Sequence, residues 1–107
     1  MPGMVERKSG HIINISSVAG KEAYPKGNVY CATKHAVDAL TKSMRIDLLP
    51  FGIKVTSIDP GAAETEFSLV RFKGDAERAA GVYNGFKPLH ADDIADIVLF
   101  VATRPDH

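Results

Sequence analysis

Residues 10 to 17 read "GHIINISS", and their reading decides the fold. Gly10 breaks the run before it, and Ile12, Ile13 and Ile15 supply a β-branched stretch that reads as a strand. Isoleucines on both odd and even positions predict burial on both faces, as in a parallel sheet. Downstream, Gly20, Pro25 and Gly27 punctuate a loop, after which Asn28 is placed to cap a long helix running to about Leu49. Val37, Leu40, Met44 and Leu48 give that helix an apolar stripe. Pro50 and Gly52 stop it, and "IKVTSID" from Ile53 supplies a second β-branched strand. Strand, loop, helix, strand is the pattern of a βαβ unit with two parallel strands.

Beyond Pro60 the chain becomes mixed, with scattered charges from Ala62 to Pro88. A last helix is expected from about Asp92, with Ile94, Ile97, Val98 and Val101 on one face and Pro105 closing it. Asp92 and Asp93 would sit at the positive end of its dipole. The fold class is therefore α/β, a partial Rossmann-like, doubly wound parallel sheet. Two parallel strands leave edges and faces that about three helices cannot cover, since such sheets usually have about five or six strands. Residues 1–107 are accordingly expected to form a single segment of a larger domain.

Composition narrows the function by exclusion. Thirteen Lys and Arg balance thirteen Asp and Glu, and no basic tract suggests nucleic acid or an anionic membrane as partner. Cys31 stands alone, which excludes an internal disulfide framework and suits a reducing cytoplasm. His11, His35, His90 and His107 are dispersed, so no metal is expected. The longest apolar runs, such as "IVLFVA" from Ile97, are too short to span a bilayer.

Chemistry enters with "YCATK", Tyr30 to Lys34. Four positions apart on a helix, the two side chains share one face. A free tyrosine, with a pKa of about 10, is a poor acid or base near neutrality. A nearby ammonium and the first turn of a helix both favour the phenolate. Such a pair can equally be a packed ring and a solvated amine, so its neighbours decide. Ser17 ends the first strand thirteen residues earlier, and "PGAAET" follows the second strand, where ligands of open α/β sheets bind. Each segment has an ordinary explanation as a loop start, a turn or a cap, but their order and spacing together are much harder to assign to chance. Cys31 and His35 are also four apart, a spacing that suits a thiol nucleophile, although a small residue at that point explains Cys31 as well.

In these features the sequence resembles the short-chain dehydrogenase/reductases, on "NISSVAG", "YCATK" and "PGAAET", over nearly all of residues 10 to 104. The resemblance implies that Ser17 orients and polarises a carbonyl, that Tyr30 is the general acid/base, and that Lys34 holds the nicotinamide ribose and assists Tyr30. It also implies that Tyr30, Lys34, Pro60, Gly61, Ala62, Ala63, Glu64 and Thr65 contact the cofactor. The segment from Thr65 to Pro105 is similar to the serine and 3-hydroxy acid dehydrogenases, which implies NADP as cofactor, with NAD not excluded, and a small hydroxy acid as substrate. Arg71 or Arg78 would then pair with the substrate carboxylate. Homo-oligomers, dimers or tetramers, are implied as well. The family's N-terminal half carries a glycine-rich phosphate loop, and this sequence contains no G-x-G. The 107 residues are thus expected to be an excerpt without independent turnover. The rival expectations are a short-chain reductase of a ketoacyl, sugar or alcohol substrate, and a non-catalytic assembly module.

Overall fold

A computed structural model of the chain describes residues 1–64 and 87–107. These fall into two compact units, Met1–Pro60 and Gly61–His107. In the first, helix α1 (Pro2–Arg7) leads to strand β1 (Gly10–Ile15), a short 3-10 turn (Val18–Gly20), helix α2 (Asn28–Leu48), a second 3-10 turn (Leu49–Phe51) and strand β2 (Ile53–Ile58). The two strands pair in parallel from Gly10↔Ile53 to Ile15↔Ile58, as the βαβ pattern predicts. A core of Leu48, Ile53 and Val55 is joined by Met4, Val5, Ile12 and Met44.

Several local expectations change. Asn28 does not cap α2: Gly27 occupies that position, and its carbonyl already accepts the Cys31 N–H at 2.7 Å. The Asn28 side chain instead accepts from the next amide, Val29 N–H, at 2.8 Å. The helix ends at Leu48, one residue early, and the chain tightens into a 3-10 turn at Pro50, which has no N–H to continue the α-helical ladder. Within the described residues strand β1 is half-buried, with Ile15 48% exposed. The physical reason is that β1 and β2 form a two-stranded sheet among the described residues, with one long helix against it.

Of the expected α2 stripe, Leu48 is buried and Val37 and Met44 are partly buried, while Leu40 departs from it. Leu40 is 57% exposed, whereas its neighbour Thr41 is 1% exposed. Cys31, Asp38, Thr41 and Leu48 make the buried line. A threonine is tolerated there because its hydroxyl donates to the Val37 carbonyl at 2.7 Å and accepts from Asn14 Nδ2 at 2.9 Å.

The loop into α2 carries a strained residue. Gly27 N–H donates to the Tyr24 carbonyl at 3.2 Å, with Pro25 at the second turn position and Lys26 at the third with φ 64°. That is the φ of a type II turn, in which the third position favours glycine. A side chain in this region costs about 1 to 2 kcal/mol, against about 0.5 to 1 kcal/mol for the entropy a glycine loses on folding. Lys26→Gly is expected to stabilise the first unit by about 0.5 to 1 kcal/mol, read from the urea midpoint. A lowered midpoint would contradict this account of the turn.

In the second unit, the two-residue strands β3 (Ala63–Glu64) and β4 (Leu89–His90) pair in parallel, and helix α3 (Ala91–Ala102) follows. It starts one residue before the expected Asp92. Asp93 Oδ2 accepts the His90 N–H at 2.7 Å, so an acidic first turn satisfies an amide at the helix start. No helix among the described residues is long and apolar enough to cross a membrane.

Candidate active site

Beyond the carboxyl end of β1, the chain keeps the sheet's direction for one more step: Ser16 N–H donates to the Ile58 carbonyl at 2.8 Å, and Val18 N–H to the Pro60 carbonyl at 3.1 Å. Ser17 lies between these two anchors, extended and 8% exposed. Its Oγ accepts the Ala19 N–H at 3.1 Å and so caps the following 3-10 turn. Its hydroxyl keeps a proton to donate and a second lone pair.

Tyr30 and Lys34 rise from the first two turns of α2, and Lys34 Nζ stands 5.8 Å from the centre of the Tyr30 ring, within cation–π range. Lys34 Nζ also donates to the Ile15 carbonyl at 3.2 Å, which brings its ammonium to the last residue of β1. Lys34 thus lies between the Tyr30 ring and the end of β1, two residues before Ser17. Pro60 is tied to the Ser17 turn through its carbonyl. Gly61, Ala62, Ala63 and Glu64 belong to the second unit, where the Ala62 carbonyl accepts the Leu89 N–H at 2.9 Å. Thr65, Arg71 and Arg78 lie outside the described residues.

The 3-10 turn approaches α2 closely. A Cβ on Gly20 would stand 2.8 Å from the Lys34 carbonyl oxygen and 2.9 Å from Ser16 Oγ. Ser16 Oγ itself donates to that carbonyl at 3.4 Å, a long bond. One residue beyond Gly20, Lys21 forms an ion pair with Asp38, and Lys42 Nζ reaches the other Asp38 oxygen at 2.8 Å. The hydrogen bond from Lys21, followed by that from Lys42, draws the Asp38 carboxyl down to about 2. Asp38 in turn raises Lys21 above the usual lysine range.

Ser16, Lys21 and Asp38 were not singled out by sequence, and Gly20 was read only as loop punctuation. Asp38 and Lys42 at i, i+4, with Asp38 one turn beyond Lys34, was the available signal. The Lys21 contact spans a loop, and nothing in local spacing announces it.

Cys31, 3% exposed, is packed inside, and His35 Nδ1 meets the Cys31 carbonyl at 2.7 Å rather than its sulfur. That arrangement serves the ordinary explanation of the cysteine as a small packed residue. Among the described residues no three His, Cys, Asp or Glu side chains gather as a metal site.

A family model described as short chain dehydrogenase matches residues 1–75. An NADP-dependent 3-hydroxy acid dehydrogenase of Salmonella typhimurium is 50% identical over 108 aligned positions, covering 100% of this chain and 44% of the relative. Serine 3-dehydrogenase of Rhizobium radiobacter is 46% identical, covering 100% of this chain and 43% of its own length. A solved structure of the closed form of serine dehydrogenase complexed with NADP+ superposes with a TM-score of 0.95 at 47% identity, over 100% of this chain and 44% of that one. The chain spans less than half the length of these relatives. A parallel βαβ unit that places a serine at the end of one strand and a tyrosine and lysine on the next helix, matched over residues 1–75 by the family's own model, belongs to the short chain dehydrogenase family.

Proposed function

We propose that residues 1–107 carry the proton-transfer part of an NADP-dependent oxidoreductase acting on a small hydroxy acid of the serine, allo-threonine or 3-hydroxy acid type. The observation that carries the reading is Lys34, whose ammonium lies against the Tyr30 ring and at the Ile15 carbonyl, two residues before Ser17. Relatives named for NADP and for serine or 3-hydroxy acids support the choice of cofactor and substrate. The donors present suit the nicotinamide ribose end of the cofactor: Lys34 and Tyr30 would hold it, with Pro60 tied to the Ser17 turn beside them. Bound NADP would accept or supply the substrate's carbon-bound hydrogen with its electron pair.

The chain's own residues do the rest. In the oxidative direction Tyr30, as phenolate, takes the hydroxyl proton, and in the reductive direction it returns a proton to the carbonyl oxygen. Ser17 donates a hydrogen bond from its hydroxyl to that same oxygen, keeping its own proton, and fixes the oxygen's position. Lys34 keeps its ammonium beside the Tyr30 ring, 5.8 Å from its centre. Arg71 would pair with the substrate carboxylate. The exposed Val29, Leu40 and Ile46 of α2 would be covered in a homo-oligomer.

A substrate panel tests the reading. An enzyme carrying residues 1–107 is expected to reduce NADP with serine, allo-threonine or a 3-hydroxy acid, and to do so far better than with a sugar or an apolar alcohol. Turnover confined to a ketoacyl thioester, a sugar or an apolar alcohol would overturn the substrate assignment and leave the proton-transfer assignment standing.

A further inference from the structure

Ser17 and Tyr30 must address one substrate oxygen, yet they sit on different elements joined by an exposed loop from Lys21 to Lys26. What fixes their separation is the seam between the 3-10 turn and α2. Gly20 meets the backbone of Lys34, and Ser16 Oγ donates to the same carbonyl. Lys21 extends the seam by one helical turn, to Asp38. Its Nζ also stands 3.9 Å from Asp59 Oδ2, at the carboxyl end of β2, immediately before the Pro60 whose carbonyl holds Val18 N–H.

An exposed lysine in an ion pair ordinarily contributes little. Three features set this one apart. Its partner Asp38 is 9% exposed on the buried face of α2. The ammonium reaches carboxylates on two elements, and those elements are the ones that frame the Ser17 turn. Asp38 retains Lys42 when Lys21 is removed, so the loss of Lys21 does not strand a buried charge.

We infer that Lys21 is a positioning residue: by bridging Asp38 and Asp59 it holds the Ser17 turn in register with the Tyr30 and Lys34 helix. The inference rests on the hydride-transfer reading for its catalytic consequence and on the geometry alone for its structural one. A displacement of about 1 Å in a reacting group can cost about 10²-fold in rate, so a loosened turn should act on kcat.

The test pairs Lys21→Met, which keeps the apolar stem, with Lys21→Arg, which keeps the cation. On the 107-residue chain, hydrogen exchange at the Ala19, Gly20 and Glu22 amides, bonded within the turn, is expected to rise about 10-fold in Lys21→Met, the mark of local opening. Amides from Ala39 to Met44 in the middle of α2 should keep their rates, and Lys21→Arg should restore the turn. In an enzyme carrying these residues, kcat should fall about 10-fold in Lys21→Met with little change in KM for NADP, and recover in Lys21→Arg. Unchanged exchange at the turn, or an equal rise along α2, overturns the inference whatever the activity. A parental kcat in Lys21→Met overturns it too. An enzyme without any hydride transfer refutes the proposed reaction instead, and the exchange pattern then decides the role of Lys21 by itself.

Discussion

Tyr30→Phe, in an enzyme carrying residues 1–107, is expected to abolish turnover, since loss of a positioned acid/base alone costs about 10² to 10⁴-fold. The variant removes one oxygen and keeps the ring, so the packing against Lys34, 5.8 Å from the ring centre, survives. The Lys34 bond to the Ile15 carbonyl does not involve the phenol and should survive as well. NADP binding should therefore stay nearly normal while kcat collapses, the signature of an interaction made in the transition state. Fluorescence titration of the cofactor beside steady-state rates checks both halves. Retained turnover would remove Tyr30 from the chemistry, and lost cofactor binding would show that its hydroxyl, and not Lys34 alone, holds the cofactor.

The second large effect falls on stability. Gly20→Ala places a methyl 2.8 Å from the Lys34 carbonyl oxygen and 2.9 Å from Ser16 Oγ, distances that real Cβ atoms do not show. The nearer atom is helical backbone in the second turn of α2 and cannot swing aside, so the 3-10 turn must lift. Overpacking of this kind costs about 1 to 3 kcal/mol, and a denaturant midpoint on the 107-residue chain reads it directly. Gly27→Ala is the instructive contrast. Its methyl would come even closer to a neighbour, 2.2 Å from the Tyr24 ring, but that ring is partly exposed and can rotate away. Gly20→Ala is expected to be the more damaging of the two; the reverse order would show that the turn yields more easily than the tyrosine.

The parallel strand pair was legible because β-branched runs on either side of a long amphipathic helix leave few alternatives. The Ser17, Tyr30 and Lys34 constellation was legible for a different reason: its members lie at strand ends and on one helix face, places that spacing alone can locate. Leu40 and Thr41 show where such reasoning stops. Apolarity favoured Leu40 for the interior, but its neighbour Thr41 is the buried one, and its hydroxyl finds Asn14 on a strand 27 positions away. Hydropathy carries no information about a partner that distant. The two-residue pairing of Ala63↔Leu89 and Glu64↔His90 was invisible for the same reason, being too short for any periodicity.

The β1–β2 ladder also sets the order in which the first unit can assemble. Gly10 and Ile53 are partners across a long intervening chain, so the entropy of closing that loop is spent before a single ladder bond offsets it. Helix α2 needs no such closure, since its bonds reach only four residues. By shortening the path between the strands, a helix formed early brings Asn14 and Thr41, then the Ser17 turn, within reach of each other. The juxtaposition of Ser17 with Tyr30 and Lys34 is thus expected to be among the last features to become organised, and refolding should regain helical signal before it regains the environment of Tyr30.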